Sequence, residues 1–132
     1  MKEAALRRVL VVEDQALLAE LIAEGLGHQL EVLCAATVAE GAAMVMGAAV
    51  DVVLLDCIVP GETTWQIVLE ADRQDVTVVL TIGDPGQMKN AASGTRPYIL
   101  KPFTLSDLKR VLEQAARQGG SGNTPPFVDR SV

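Results

Sequence analysis

Short apolar runs alternate along the chain with segments of helical periodicity. Residues 9–12 (VLVV) are continuously apolar, which predicts a strand covered on both faces. Leu17, Leu18, Leu21, Ile22 and Leu26 then recur at helical spacing, with Glu20 and Glu24 on the other side. Gly25 and Gly27 weaken and end that helix. Residues 31–36 (EVLCAA) predict a second strand, after which Thr37 and Glu40 stand at capping-box spacing and start a helix that runs to about residue 46. A third strand is predicted over 51–55, followed by a helix with Trp65, Ile67, Val68 and Ala71 inward. The β-branched run 76–81 (VTVVLT) predicts a fourth strand and 97–100 (PYIL) a short fifth. Thr104 and Asp107 cap a last helix with the apolar stripe Leu105, Leu108, Val111, Leu112 and Ala115.

Two segments lack such patterns. GDPGQMKNAASG, between the fourth and fifth strands, has little apolar periodicity; a fourth helix over 85–92, short or irregular, is the expectation. Residues 119–132, rich in Gly, Ser and Pro, are expected to form a flexible tail or linker after a domain spanning 1–118. Five β-α alternations with short connections predict an α/β fold, a doubly wound parallel sheet with helices on both faces. Ligands in such sheets sit at the C-terminal ends of the strands.

Composition narrows the function classes. The 132 residues are 49% apolar but only 3% aromatic, which suits helices on a Val/Leu-rich sheet better than a β-sandwich. The net charge of −6, without a basic cluster, argues against direct nucleic-acid binding. Cys34 and Cys57 form no CxxC or zinc-like spacing and are expected to be reduced, mostly buried thiols of a cytoplasmic protein. The apolar run 41–50 falls short of the roughly 18 residues a membrane span needs, and the N-terminus shows no cleavable apolar segment.

The candidate chemistry lies at the strand ends. Glu13 and Asp14 follow the first strand and Asp56 the third. If those strands are neighbours, the three acids converge, and two carboxylates about 4 Å apart repel by roughly 4 kcal/mol at an effective dielectric near 20. Proton uptake or a bound cation relieves this, and hard oxygen donors suit Mg²⁺. Thr81 ends the fourth strand and Lys101 the fifth, adding a hydroxyl and an ammonium at the same edge. Each residue also has a plainer reading: Asp14 as a helix cap, Thr81 as an ordinary strand residue, Lys101 as a solvated charge, and Tyr98 and Trp65 as packing residues. His28 reads as a polar loop residue.

In their order and spacing, VVED after strand one, LLDCIVPG after strand three, VVLT in strand four and YILKPF across strand five resemble the receiver domain of two-component response regulators, over residues 9–116. The resemblance implies a flavodoxin-like (βα)5 fold with strand order 2-1-3-4-5. It implies Asp56 as the phosphoacceptor and Glu13, Asp14 and Asp56 as Mg²⁺ ligands, with the Ile58 carbonyl added. It further implies Thr81 and Lys101 as phosphoryl-binding groups, and Thr81 and Tyr98 as the switch pair. The implied partners are a histidine kinase or phosphotransfer protein and an unspecified output partner, without membrane or nucleic acid; a homodimer is compatible with it. Such a domain is not an enzyme in the usual sense, because it catalyses only its own phosphorylation and dephosphorylation.

Three features depart from the family pattern. Ile82 stands where a very small residue is usual and is expected to crowd the phosphoryl site, Ile58 replaces a polar residue or Met, and Pro85 and Gly86 interrupt the fourth helix. The competing reading is a degenerate receiver that binds proteins without phosphorylation. Other Mg²⁺ or nucleotide chemistries fit less well. A phosphohydrolase with its aspartate nucleophile after strand one needs D-x-D where the chain has EDQA, a Toprim-type enzyme needs D-x-D where the chain has DCI, and no GxGxxG or GxxxxGK[ST] is present.

Overall fold

A computed structural model describes residues 6–56, 65–83 and 96–117. The elements run β1 (Arg8–Val12), α1 (Ala16–Leu26), β2 (Glu31–Ala35), α2 (Val38–Gly47), β3 (Val52–Asp56), α3 (Trp65–Gln74), β4 (Thr77–Ile82), β5 (Tyr98–Leu100) and α4 (Leu105–Arg117). The five strands form one parallel sheet in the order β2-β1-β3-β4-β5. The segment expected to hold the fourth helix and the tail 119–132 lie outside the described residues, as do Cys57, Ile58 and the Trp65 side chain.

Strand alternation divides the core into two layers. On one face Leu10, Val12, Val53, Leu55 and Val78 meet α2 and α3 through residues such as Val45, Ile67 and Ala71. On the other, Val9, Val11, Val52, Leu54, Val79 and Ile99 meet α1 and α4 through Ile22, Leu26, Leu108 and Leu112. Val9–Val12 and Val52–Leu55 are at most 1% exposed, which is why both runs lack polar residues. Gly41 lets α2 sit close to the sheet: a Cβ there would lie 2.8 Å from Ile67 Cδ1 and 3.0 Å from Val12 Cγ2.

The helix starts follow the sequence. Thr37 Oγ1 accepts from the Glu40 N–H at 3.1 Å, and the Glu40 carboxylate accepts from the Ala36 N–H at 2.9 Å. Thr104 Oγ1 accepts from the Asp107 N–H at 3.0 Å. Asp14 does not cap α1, whose N-cap is Gln15 without a side-chain hydrogen bond. That leaves the Asp14 carboxylate available to the strand-end cluster.

Two expectations are corrected. The inward face of α1 is Ala19, Ile22 and Leu26, while Leu17 and Leu21 are 76% and 61% exposed. Helical spacing alone admits both stripes, and the sheet selects the one that also contains Ala19. Cys34 is exposed, not buried, because β2 is an edge strand and covers only part of its surface. Local desolvation still holds its thiol above the ordinary pKa.

Candidate functional site

The site forms at the C-terminal edge of the sheet because β1 and β3 are direct neighbours. β1 delivers Glu13 and Asp14 immediately after Val12, and β3 delivers Asp56 as its last residue. One oxygen from each of Glu13, Asp14 and Asp56 lies within 4.8 Å of the others. Asp56 is in register with Thr81, and β5 follows β4 with Ile82 opposite Leu100, so Lys101 emerges beside the acids. The Lys101 N–H donates to the Ile82 carbonyl at 2.8 Å, and the Lys101–Pro102 peptide is cis. Lys101 Nζ stands 3.6 Å from Asp56 Oδ1 and 3.9 Å from Glu13 Oε1.

Glu13 and Asp56 are buried and Asp14 is exposed, so the cluster has a dry side and a wet side. Burial pushes the Glu13 carboxyl above its ordinary pKa. The Gln15 N–H, donating at 3.2 Å, and Lys101 oppose that rise, whereas the charges of Asp56 and Asp14 add to it. Thr81 is 3% exposed, and its Oγ1 has no hydrogen-bond partner among the described residues. Behind the polar groups, Val11, Leu18, Ile22, Leu54 and Phe103 line the same cavity as Glu13, Asp56, Thr81 and Lys101. These apolar side chains exclude water, which strengthens charge interactions at Asp56.

The donor set fits a hard divalent cation: three carboxylates converge, and the exposed side leaves room for water ligands. Without a cation, the arrangement costs stability. A carboxyl with a raised folded pKa favours the fold when protonated. Its stabilisation is complete below the unfolded value and is lost as pH rises through the higher folded value. Metal-free protein is therefore expected to lose stability as pH rises above the ordinary range for Glu. Glu13→Gln should remove that loss and add about 1 kcal/mol at neutral pH, measured by urea unfolding with and without chelator.

Several known proteins resemble this chain in sequence or in fold. The chain is 33% identical over 123 residues to the transcriptional regulatory protein TcrA of Mycobacterium tuberculosis, matching 85% of this chain and 47% of that one. It thus spans about half the length of that relative. Its structure matches the response regulator receiver domain protein of Clostridium thermocellum with a TM-score of 0.76 and 25% identity, covering 86% of this chain and 96% of that one. The chain is a response-regulator receiver domain. No protein-family model matches it. The receiver domain of the sensor histidine kinase PA1611 from Pseudomonas aeruginosa shares the fold, with a TM-score of 0.70, 22% identity and coverage of 85% and 98%; that protein holds magnesium in its active-site cleft.

In this receiver domain the acids and Lys101 converge, and Thr81 joins Glu13, Asp56 and Lys101 around one cavity. Tyr98 does not line that cavity. It opens β5, half-buried and in register with Leu80. Ile82 is 1% exposed, and strand alternation sets it on the sheet face opposite Thr81. Among the described residues, it is not one of those that line the cavity. The apolar wall escaped the sequence reading because Leu18 and Ile22 look like any helix stripe, and Phe103 carries no signal of its own in the sequence. Among the described residues, no helix is long and apolar enough to cross a membrane.

Proposed function

We propose that this receiver domain accepts a phosphoryl group on Asp56 from a phosphohistidine of a histidine kinase or phosphotransfer protein, in a Mg²⁺-dependent reaction, and that the modification switches binding of an output partner. The observation that carries this reading is the position of the Asp56 carboxylate. It faces the Lys101 ammonium at 3.6 Å and shares a cavity with the buried Thr81 hydroxyl, which has no hydrogen-bond partner among the described residues.

One Asp56 oxygen attacks phosphorus, the P–N bond breaks, and the imidazole leaves with its electron pair and takes up a proton. The product is an acyl phosphate. Lys101 balances negative charge on the phosphoryl oxygens, and Thr81 donates its hydroxyl hydrogen to one of them. Bound through Glu13, Asp14 and Asp56, Mg²⁺ would supply further charge neutralisation. Thr81 shifts toward the phosphoryl group, and Tyr98 on the neighbouring strand changes its packing in response. Output through protein contacts agrees with the net charge of −6.

The test is uptake of one phosphoryl group, read by intact mass, from both a small acyl-phosphate donor and a phosphorylated kinase domain. Uptake that disappears with chelator is the expected result. No uptake by the folded protein from either donor would refute the reading and leave a phosphorylation-independent binding module.

We place the donor's approach at Leu17 and Leu21, which are exposed on the first turns of α1, a helix that starts two residues after Asp14. Apolar side chains beside the site suit a helical donor surface. Leu17→Asp with Leu21→Asp is expected to slow transfer from the kinase domain by about ten-fold while leaving the small donor unaffected. Equal slowing of both donors would point to damage at the site instead.

A further inference from the structure

Gly83 follows β4 directly and is exposed. Its φ lies outside the left-handed region, so the backbone does not require glycine there. What the missing side chain leaves room for is the Lys101 stem. A Cβ on Gly83 would lie 3.3 Å from Lys101 Cδ and 4.0 Å from Lys101 Cβ. The first distance is tighter than ordinary packing, so an added methyl obliges the stem to yield by a few tenths of an ångström. Each further carbon requires more. The stem has somewhere to go, because the Lys101 side chain is 26% exposed.

We propose that Gly83 is a positioning residue: its bare Cα lets the Lys101 stem lie across the end of β4 and so sets the ammonium against Asp56 and Glu13. The backbone at Lys101 is held by its N–H bond to the Ile82 carbonyl at 2.8 Å, so displacement by a side chain at 83 falls on the stem and the ammonium. Among the described residues, Glu13, Asp14 and Asp56 are the acids gathered at that end of the sheet. An ammonium close to these acids opposes a divalent cation there and assists a phosphoryl group. Moving it outward should therefore favour the cation and hinder phosphoryl transfer. The second consequence rests on the phosphoacceptor reading above; the first does not.

The experiment compares wild type, Gly83→Ala, Gly83→Val, Lys101→Met and Gly83→Val/Lys101→Met. Mg²⁺ affinity is measured by calorimetry, phosphoryl uptake from a small acyl-phosphate donor by intact mass, and stability by urea unfolding. Gly83→Val is expected to tighten Mg²⁺ binding by about three-fold, in the same direction as Lys101→Met, and to slow uptake; Gly83→Ala should do both to a smaller extent. In the Lys101→Met background Gly83→Val should add nothing, which a merely structural role would not produce. An unchanged Mg²⁺ affinity in Gly83→Val, or a change that persists without Lys101, overturns the proposal. Coupling in the Mg²⁺ data without phosphoryl uptake by any variant upholds the positioning role and removes the phosphoacceptor reading.

Discussion

Asp56→Asn is expected to abolish phosphoryl uptake from every donor while leaving the fold intact. The amide keeps the shape of the side chain but replaces the attacking oxygen anion with a weakly nucleophilic amide, and no acyl phosphate can form at that atom. The other acids do not substitute. Glu13 already accepts the Gln15 N–H and burial holds its carboxyl above the ordinary pKa, and Asp14 lies on the exposed side and outside the cavity. The variant should also be more stable than wild type in chelator, because one of three converging negative charges is gone. Intact mass and urea unfolding on the same sample check both statements. A residual phosphoryl group in Asp56→Asn, mapped to another side chain, would move the acceptor assignment.

Lys101→Met carries the second-largest effect. The substitution keeps most of the apolar stem that runs past Gly83 and removes only the ammonium. Charge that builds on the phosphoryl oxygens during transfer then lacks a partner 3.6 Å from Asp56 Oδ1, inside a cavity walled by Leu54, Ile22 and Phe103. Loss of one such preorganised contact in a dry site typically slows transfer by about 10²–10³-fold. The single-turnover rate with a small donor at saturating Mg²⁺ is the measurement. A rate within a few-fold of wild type would assign Lys101 to static charge balance with Glu13 and Asp56 rather than to transfer.

Much of the architecture was legible in order and pattern. The runs at 9–12 and 52–55 are pure apolar segments because both faces of a central parallel strand are covered, and the structure buries them almost completely. Thr37 with Glu40 and Thr104 with Asp107 marked helix starts because a hydroxyl three residues ahead of an amide is a local solution to an unsatisfied donor. These signals are short-range, so a sequence expresses them directly. Strand limits were less secure. Asp56 and Ile82 belong to their strands, and pairing with Thr81 and Leu100 carries each one residue beyond its predicted end.

By itself the sequence determined that acids end the first and third predicted strands, that a hydroxyl and an ammonium end the fourth and fifth, and that the chain alternates strand and helix. Periodicity and composition encode which residues can be inside, but not which neighbour covers them. Only tertiary structure decided that β1 and β3 adjoin, so that Glu13, Asp14 and Asp56 share one site. It set Ile82 on the face away from Thr81, left Leu17 and Leu21 uncovered, exposed Cys34 on an edge strand and laid the Lys101 stem across Gly83. Each of these depends on strand order, register and packing between segments tens of residues apart, where local pattern carries no information about which surfaces meet.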